Sequence, residues 1–166
     1  LFCEKFSEAK YPWPMCDILI KRAHRFAELE LAPNYVALVA NLCLNDKDFR
    51  QERAKHCWKK VCALLEETDI LVLKAIYCGL YNIAKVYKEG ALPIDHIRTH
   101  LRVKELQRPV LSLLVTHPLA GEECCNRPLL QLLASFAGRD DKATIVLMKA
   151  ARDPVFADFL VDNASL

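Results

Sequence analysis

Glycine is scarce in this chain, with only 4 among 166 residues. A sheet protein built on many tight turns needs residues that accept unusual backbone angles, and strand-style alternation of β-branched residues is also missing. No apolar run approaches the ~18–20 residues that a membrane-spanning helix requires. An excess of one charge is lacking as well: the net charge is +2, so nothing global draws the chain to nucleic acid or to a membrane. Catalytic signatures are absent too, with no glycine-rich phosphate loop, nucleophile elbow or His-Glu-x-x-His pair. No catalytic residue, cofactor or metal is therefore assigned, and the chain is not expected to be an enzyme.

What is present points to helices. Hydrophobic residues make up 53% and charged residues 27%, too apolar for a disordered chain and enough to bury a core in one domain spanning 1–166. The chain opens on Leu1 rather than Met and carries no basic-apolar leader, so we expect a segment of a larger protein. Of the eight cysteines, Cys43, Cys62 and Cys78 sit among apolar residues at helical spacing. They read as reduced core thiols rather than a secreted disulfide framework, which predicts an intracellular setting, cytoplasmic or nuclear.

Periodicity and breakers divide the chain into nine or ten helices of 8–18 residues. Tyr11-Pro12-Trp13-Pro14 closes a first helix, and a second runs from about Met15 to Leu31. Pro33 restarts the chain into a helix with Tyr35, Leu38, Val39, Leu42 and Cys43 on its apolar side. Asp48–Glu66 is helical with Phe49, Cys57, Trp58, Val61, Cys62 and Leu65 inward, and Thr68 is the expected N-cap of the next helix. There Leu73, Ile76, Leu80 and Ile83 recur at intervals of three and four, with Gly90 expected as a left-handed stop. Further helices are read from Leu92-Pro93 to Leu101, and from Leu106 to Val115 with Pro109 in the first turn. Three more run from Pro128 to Ala137, from Asp140-Asp141 to Arg152, and from Pro154 to Val161.

Two of these helices share a pattern. Leu38 to Cys43 and Gly79 to Ala84 both carry Leu-x-x-Asn or its near equivalent, with Asn41 and Asn82 in matching places 41 residues apart. In the C-terminal helix Lys149 stands in the asparagine slot, but 67 residues on, so the stretch around Val103–Asn126 is an irregular unit. The Leu80-Tyr81-Asn82-Ile83-Ala84 segment and the Val155–Leu166 stretch resemble the armadillo repeat, and HEAT-like helix pairs fit the irregular middle. The resemblance covers about two-thirds of the chain and implies an all-α, right-handed α-solenoid of three to four irregular armadillo/HEAT-like repeats. Each such repeat cannot bury its apolar faces alone, so stacking makes a continuous core and a long concave surface.

In peptide-binding members such as importin-α, asparagines of this kind clamp the backbone of an extended peptide. An amide side chain suits the task, because it offers a donor and an acceptor to one peptide unit. By resemblance, Asn41, Asn82 and Lys149 are candidate partner-binding residues; the plainer reading is that each serves a neighbouring helix end or faces water. Importin-α places a tryptophan one turn before the asparagine, whereas here the slot holds Ala37 and Cys78, so nuclear-localisation peptides are not implied.

Arg50 and Arg53, followed by Lys55, Lys59 and Lys60, and later Arg98 and Arg102, with Lys104 and Arg108, form a candidate basic strip for acidic peptides or phosphates. Glu52, Glu66, Glu67 and Glu105 dilute it, and a solvated helix face is the plainer account. His96 and His100 are four apart, but no further ligand completes a metal set. The expected role is a scaffold or adaptor surface for a protein or peptide partner. A nucleic-acid-associated repeat and a self-association domain, a homo-oligomer, are the competing readings.

Overall fold

The computed structural model describes residues 50–87, 89–117 and 127–152, together with 154 and 157. The expectations for 1–49, including Asn41 and Cys43, lie outside the described residues, as do those for Cys124-Cys125 and for the Val155–Leu166 pattern. Among the described residues the regular structure is all helical: six α-helices and one 3-10 turn, with no strand. We number the helices α1 (Arg50–Cys62), α2 (Ile70–Ala84), α3 (Ile94–His100), α4 (Lys104–Thr116), α5 (Arg127–Phe136) and α6 (Asp141–Ala150). No helix among these residues is long and apolar enough to cross a membrane. Backbone packing separates two compact units, Leu1–Gly90 and Ala91–Leu166.

In the first unit, α1 runs into a 3-10 turn, Ala63–Glu66, and packs against α2. Lys59 and Lys60 occupy its last turn, where cations favour the negative end of the helix dipole. The inward positions of α2 are those its spacing predicts: Leu73, Ile76, Leu80 and Ile83 are all buried. Its cap is Asp69 rather than Thr68. The Asp69 carboxylate accepts from the amides of Leu71 at 2.8 Å and Val72 at 3.0 Å, filling two of the four orphan donors of a helix start. Thiol positions also differ from expectation. Cys57 is buried and Cys62 half-buried, but Cys78 is exposed, because it falls on the side of α2 opposite Ile76, Leu80 and Ile83.

The end of α2 is a second correction. The helix stops at Ala84 with Lys85 as a right-handed cap, and Gly138 is the described glycine with positive φ. Gly90 serves close approach instead. A Cβ built there would lie 2.5 Å from Cε2 and Nε1 of Trp58, so only hydrogen lets the chain return across the indole. Tyr87 meets the same ring edge-on, with centroids 6.3 Å apart and planes at 64°.

The second unit is a set of short helices. α3 packs on α4 and on α5, while α4 and α5 both pack on α6. Its core is aliphatic, with Ile97, Leu101, Leu106, Val110, Leu113, Leu114, Leu129, Leu133 and Val146 essentially inaccessible. α4 begins two residues before the predicted start, at Lys104, which places Pro109 inside the helix instead of in its first turn. That proline has no N–H for the Glu105 carbonyl, a lost rung that the buried leucines on the other side offset. Past the end of α5, Gly138 at φ 81° makes the left-handed turn, and the amides of Arg139 and Asp140 both reach the Phe136 carbonyl at 3.0 Å. Asp140 then caps α6 through its carboxylate, 2.8 Å from the Lys142 amide.

Candidate functional site

Two surfaces carry the predicted site residues. On α2, burial of Leu73, Ile76, Leu80 and Ile83 turns the opposite side outward: Leu71 is 65% exposed, Cys78 is exposed, and Lys74, Tyr81 and Asn82 are half-buried. Asn82 therefore stands at the edge of an accessible helix face. Its Oδ1 accepts from the Lys85 ammonium at 3.4 Å, a long hydrogen bond, and the same ammonium lies 4.2 Å from the centroid of the Tyr81 ring. Lys85 is exposed, so the cation–π contact contributes only ~0.5–1 kcal/mol. The Lys85 contact is made at the amide oxygen, which has two lone pairs, and the amide nitrogen carries two donors; this is a group able to meet one peptide unit.

In the second unit, Lys149 is half-buried on α6, and its ammonium donates to the Val115 carbonyl of α4. Val115 lies in the last turn of α4, where carbonyls have no intrahelical donor, so Lys149 satisfies an orphan acceptor and complements the dipole. One turn back along α4, the Lys142 ammonium meets Ser112 Oγ at 2.7 Å, while that hydroxyl donates to the Arg108 carbonyl at 2.8 Å. Residues 142 and 149 of α6 thus meet 112 and 115 of α4 in the same order along both helices.

The residues of the candidate basic strip are divided between the two units. Arg50 and Arg53 open α1 in the first unit, with side chains outside the described residues. Arg98 and Arg102 belong to the second unit, on α3 and just beyond it. Arg98 is paired with Asp95 at 3.2 Å, a surface contact of small energetic weight, and Arg102 is exposed.

His96 and His100 have ring centroids 6.0 Å apart at 47°. Burial pushes the His100 imidazole below the ordinary histidine value, and the neighbouring His96 pushes it the same way. Among the described residues no three His, Cys, Asp or Glu side chains gather as metal ligands. In the first unit burial raises the Cys62 thiol to about 12, and Tyr77 is raised by burial and then by Cys62.

The Lys142–Ser112 and Lys149–Val115 contacts went unread in the sequence, because 30 and 34 residues separate the partners. The Tyr81–Lys85 pair, at i and i+4, had a readable spacing. Comparison with family models, with curated proteins and with solved structures found no match.

Proposed function

We propose that this chain is a non-enzymatic interaction module, a helical-repeat scaffold of armadillo/HEAT-like type that holds a peptide or protein partner on its exposed helix faces. The observation that carries the reading is the packing order of the second unit. α3 packs on α5 and α4 on α6, the i-to-i+2 order in which successive helix pairs of a solenoid stack. Such layers leave outward helix faces available to partner segments that bind as strands or helices. The Asn82 face of α2 supports the same reading, since an amide at the edge of an accessible, half-apolar face suits the backbone of a bound chain.

The test is affinity capture from cell extract with the whole chain, beside Asn82→Ala and Asn41→Ala/Asn82→Ala variants. The expected result is a reproducible protein partner whose recovery falls in the variants. Capture of no protein, with binding to generic DNA or RNA that collapses steeply as salt rises, would replace this reading with a nucleic-acid module.

A further inference from the structure

The seam between α4 and α6 carries an exposed apolar patch flanked by two lysines. Lys142, Ile145 and Lys149 follow one another at i, i+3 and i+7 on α6, along the side that meets α4. Ile145 is 41% exposed and Met148, at the crest of the same helix, is 67% exposed, while Val115 of α4 borders the strip half-buried. The two ammoniums are held in place rather than waving in solvent, one on Ser112 Oγ and the other on the Val115 carbonyl. Each contact engages one of the three protons of an ammonium, so both remain capable donors toward an incoming anion. Two anchored cations therefore bracket an exposed aliphatic patch, with a third, Arg108, exposed on α4.

Among the described residues of α6 the two lysines outnumber the one acid, Asp141. The carboxylate of Asp140 is committed to the Lys142 amide at the start of α6. Asp141 is the exposed acid on this helix, and Glu105 stands at the far end of α4. The pattern asks for a partner with carboxylates at its ends and aliphatic carbon between them. Seven residues of α-helix advance ~10.5 Å, so the lysines repeat at the pitch of any other α-helix laid along the strip. A partner helix would match them with acids at i and i+7 and set its i+3 and i+4 side chains on Ile145 and Met148. Methionine suits such a contact because its side chain is flexible and polarizable. Nucleic acid fits less well, since its evenly charged backbone offers nothing to the apolar centre.

Resting on the reading of the chain as a protein-holding module, we propose that the α4–α6 seam docks an amphipathic helix carrying carboxylates seven residues apart with aliphatic side chains between them.

The experiment uses the whole chain and a fluorescein-labelled, alanine-based helical peptide. The peptide has glutamates at i and i+7 and leucines at i+3 and i+4; a second version carries glutamines in place of the glutamates. The expected anisotropy result is saturable binding of the glutamate peptide, weakened at least tenfold in the glutamine peptide and in Lys142→Gln/Lys149→Gln. Lys142→Arg/Lys149→Arg is expected to retain binding, and Ile145→Ser/Met148→Ser to lose it. Equal affinity for the two peptides overturns the proposal without reference to any variant's folding, and so does absence of binding to the unaltered chain. A sedimentation dimer dissolved by Ile145→Ser/Met148→Ser, with no peptide binding, also overturns it and assigns the strip to a second copy. Asn82-dependent capture from extract that survives any of these failures leaves the wider scaffold reading standing.

Discussion

In the first unit the described core adds rings and a thiol to its aliphatic side chains: Trp58, Tyr77 and Tyr87 with Cys57, and a glycine admitted beside the indole. In the second unit it closes around leucine, isoleucine, valine and alanine, with His100 and His117 also buried, and two lysine contacts join α6 to α4. Large flat side chains demand one particular arrangement, because a ring edge leaves no tolerance for a neighbouring methyl group. Aliphatic side chains fill space with more freedom, and in the second unit two lysine contacts add direction to the packing of α6 on α4. The first unit adds ring packing to its aliphatic core, and the second adds lysine contacts between two helices.

Substitutions that empty each core test this contrast most strongly. Trp58→Ala is expected to cost ~3–5 kcal/mol and Leu113→Ala ~2–5 kcal/mol, measured by urea unfolding. Both tryptophans, Trp13 and Trp58, lie in residues 1–90, so tryptophan fluorescence reports on the first unit while circular dichroism reports on all helices. If Leu113→Ala shifted both signals equally, the units would unfold as one and the contrast would be only chemical. Next in size, Gly90→Ala is expected to cost ~1–3 kcal/mol by forcing the buried indole aside. A neutral effect would mean that the first unit repacks as readily as an aliphatic one.

Smaller effects separate the helix starts. Asp69→Ala and Asp140→Ala each remove a capping carboxylate and are expected to cost ~1 kcal/mol. Asn should restore most of the loss in both, as seen in the urea midpoint. The second unit should also respond to acid through His100. Its pKa is lowered on folding, so the folded state prefers the neutral ring. Stability is then at its plateau above the unfolded histidine value of about 6.5 and falls as pH drops below it, toward the folded value. His100→Gln should flatten that part of the pH profile; an unchanged slope would assign it to other groups. Smallest in energy but sharpest in site, iodoacetamide on the folded chain should modify Cys78 before Cys57 and Cys62, read by peptide mass mapping. Early modification of Cys62 would contradict both its burial and its raised thiol pKa.

Much of the helical content was legible because its cause is local. Leu73, Ile76, Leu80 and Ile83 recur at helical spacing and are buried, and Asp140 and Gly138 act as the cap and stop their chemistry predicts. The same reasoning failed where a neighbour distant in sequence decided. Gly90 was read as a helix stop because glycine ends helices, but its role is set by Trp58, 32 residues earlier. Cys78 was read as a core thiol from its apolar surroundings, whereas the direction of α2's buried face leaves it outside. Among the site residues, Asn82 could be named from its pattern. That Lys149 serves the end of α4 could not, since the spacing of a lysine does not reveal which carbonyl it will meet.

Sequence alone determined that the described residues are helical, where most of those helices lie, and that no familiar catalytic motif is written into the chain. Scarce glycine, punctuating prolines and three-to-four periodicity act within a few residues of one another, so they need no fold to be read. Tertiary structure decided which glycine yields to a ring, which thiol faces outward, and which two helices pack together with lysines bonded across their seam. Those outcomes depend on contacts across 30 or more residues, and the energy of such a contact exists only once both partners have been brought together.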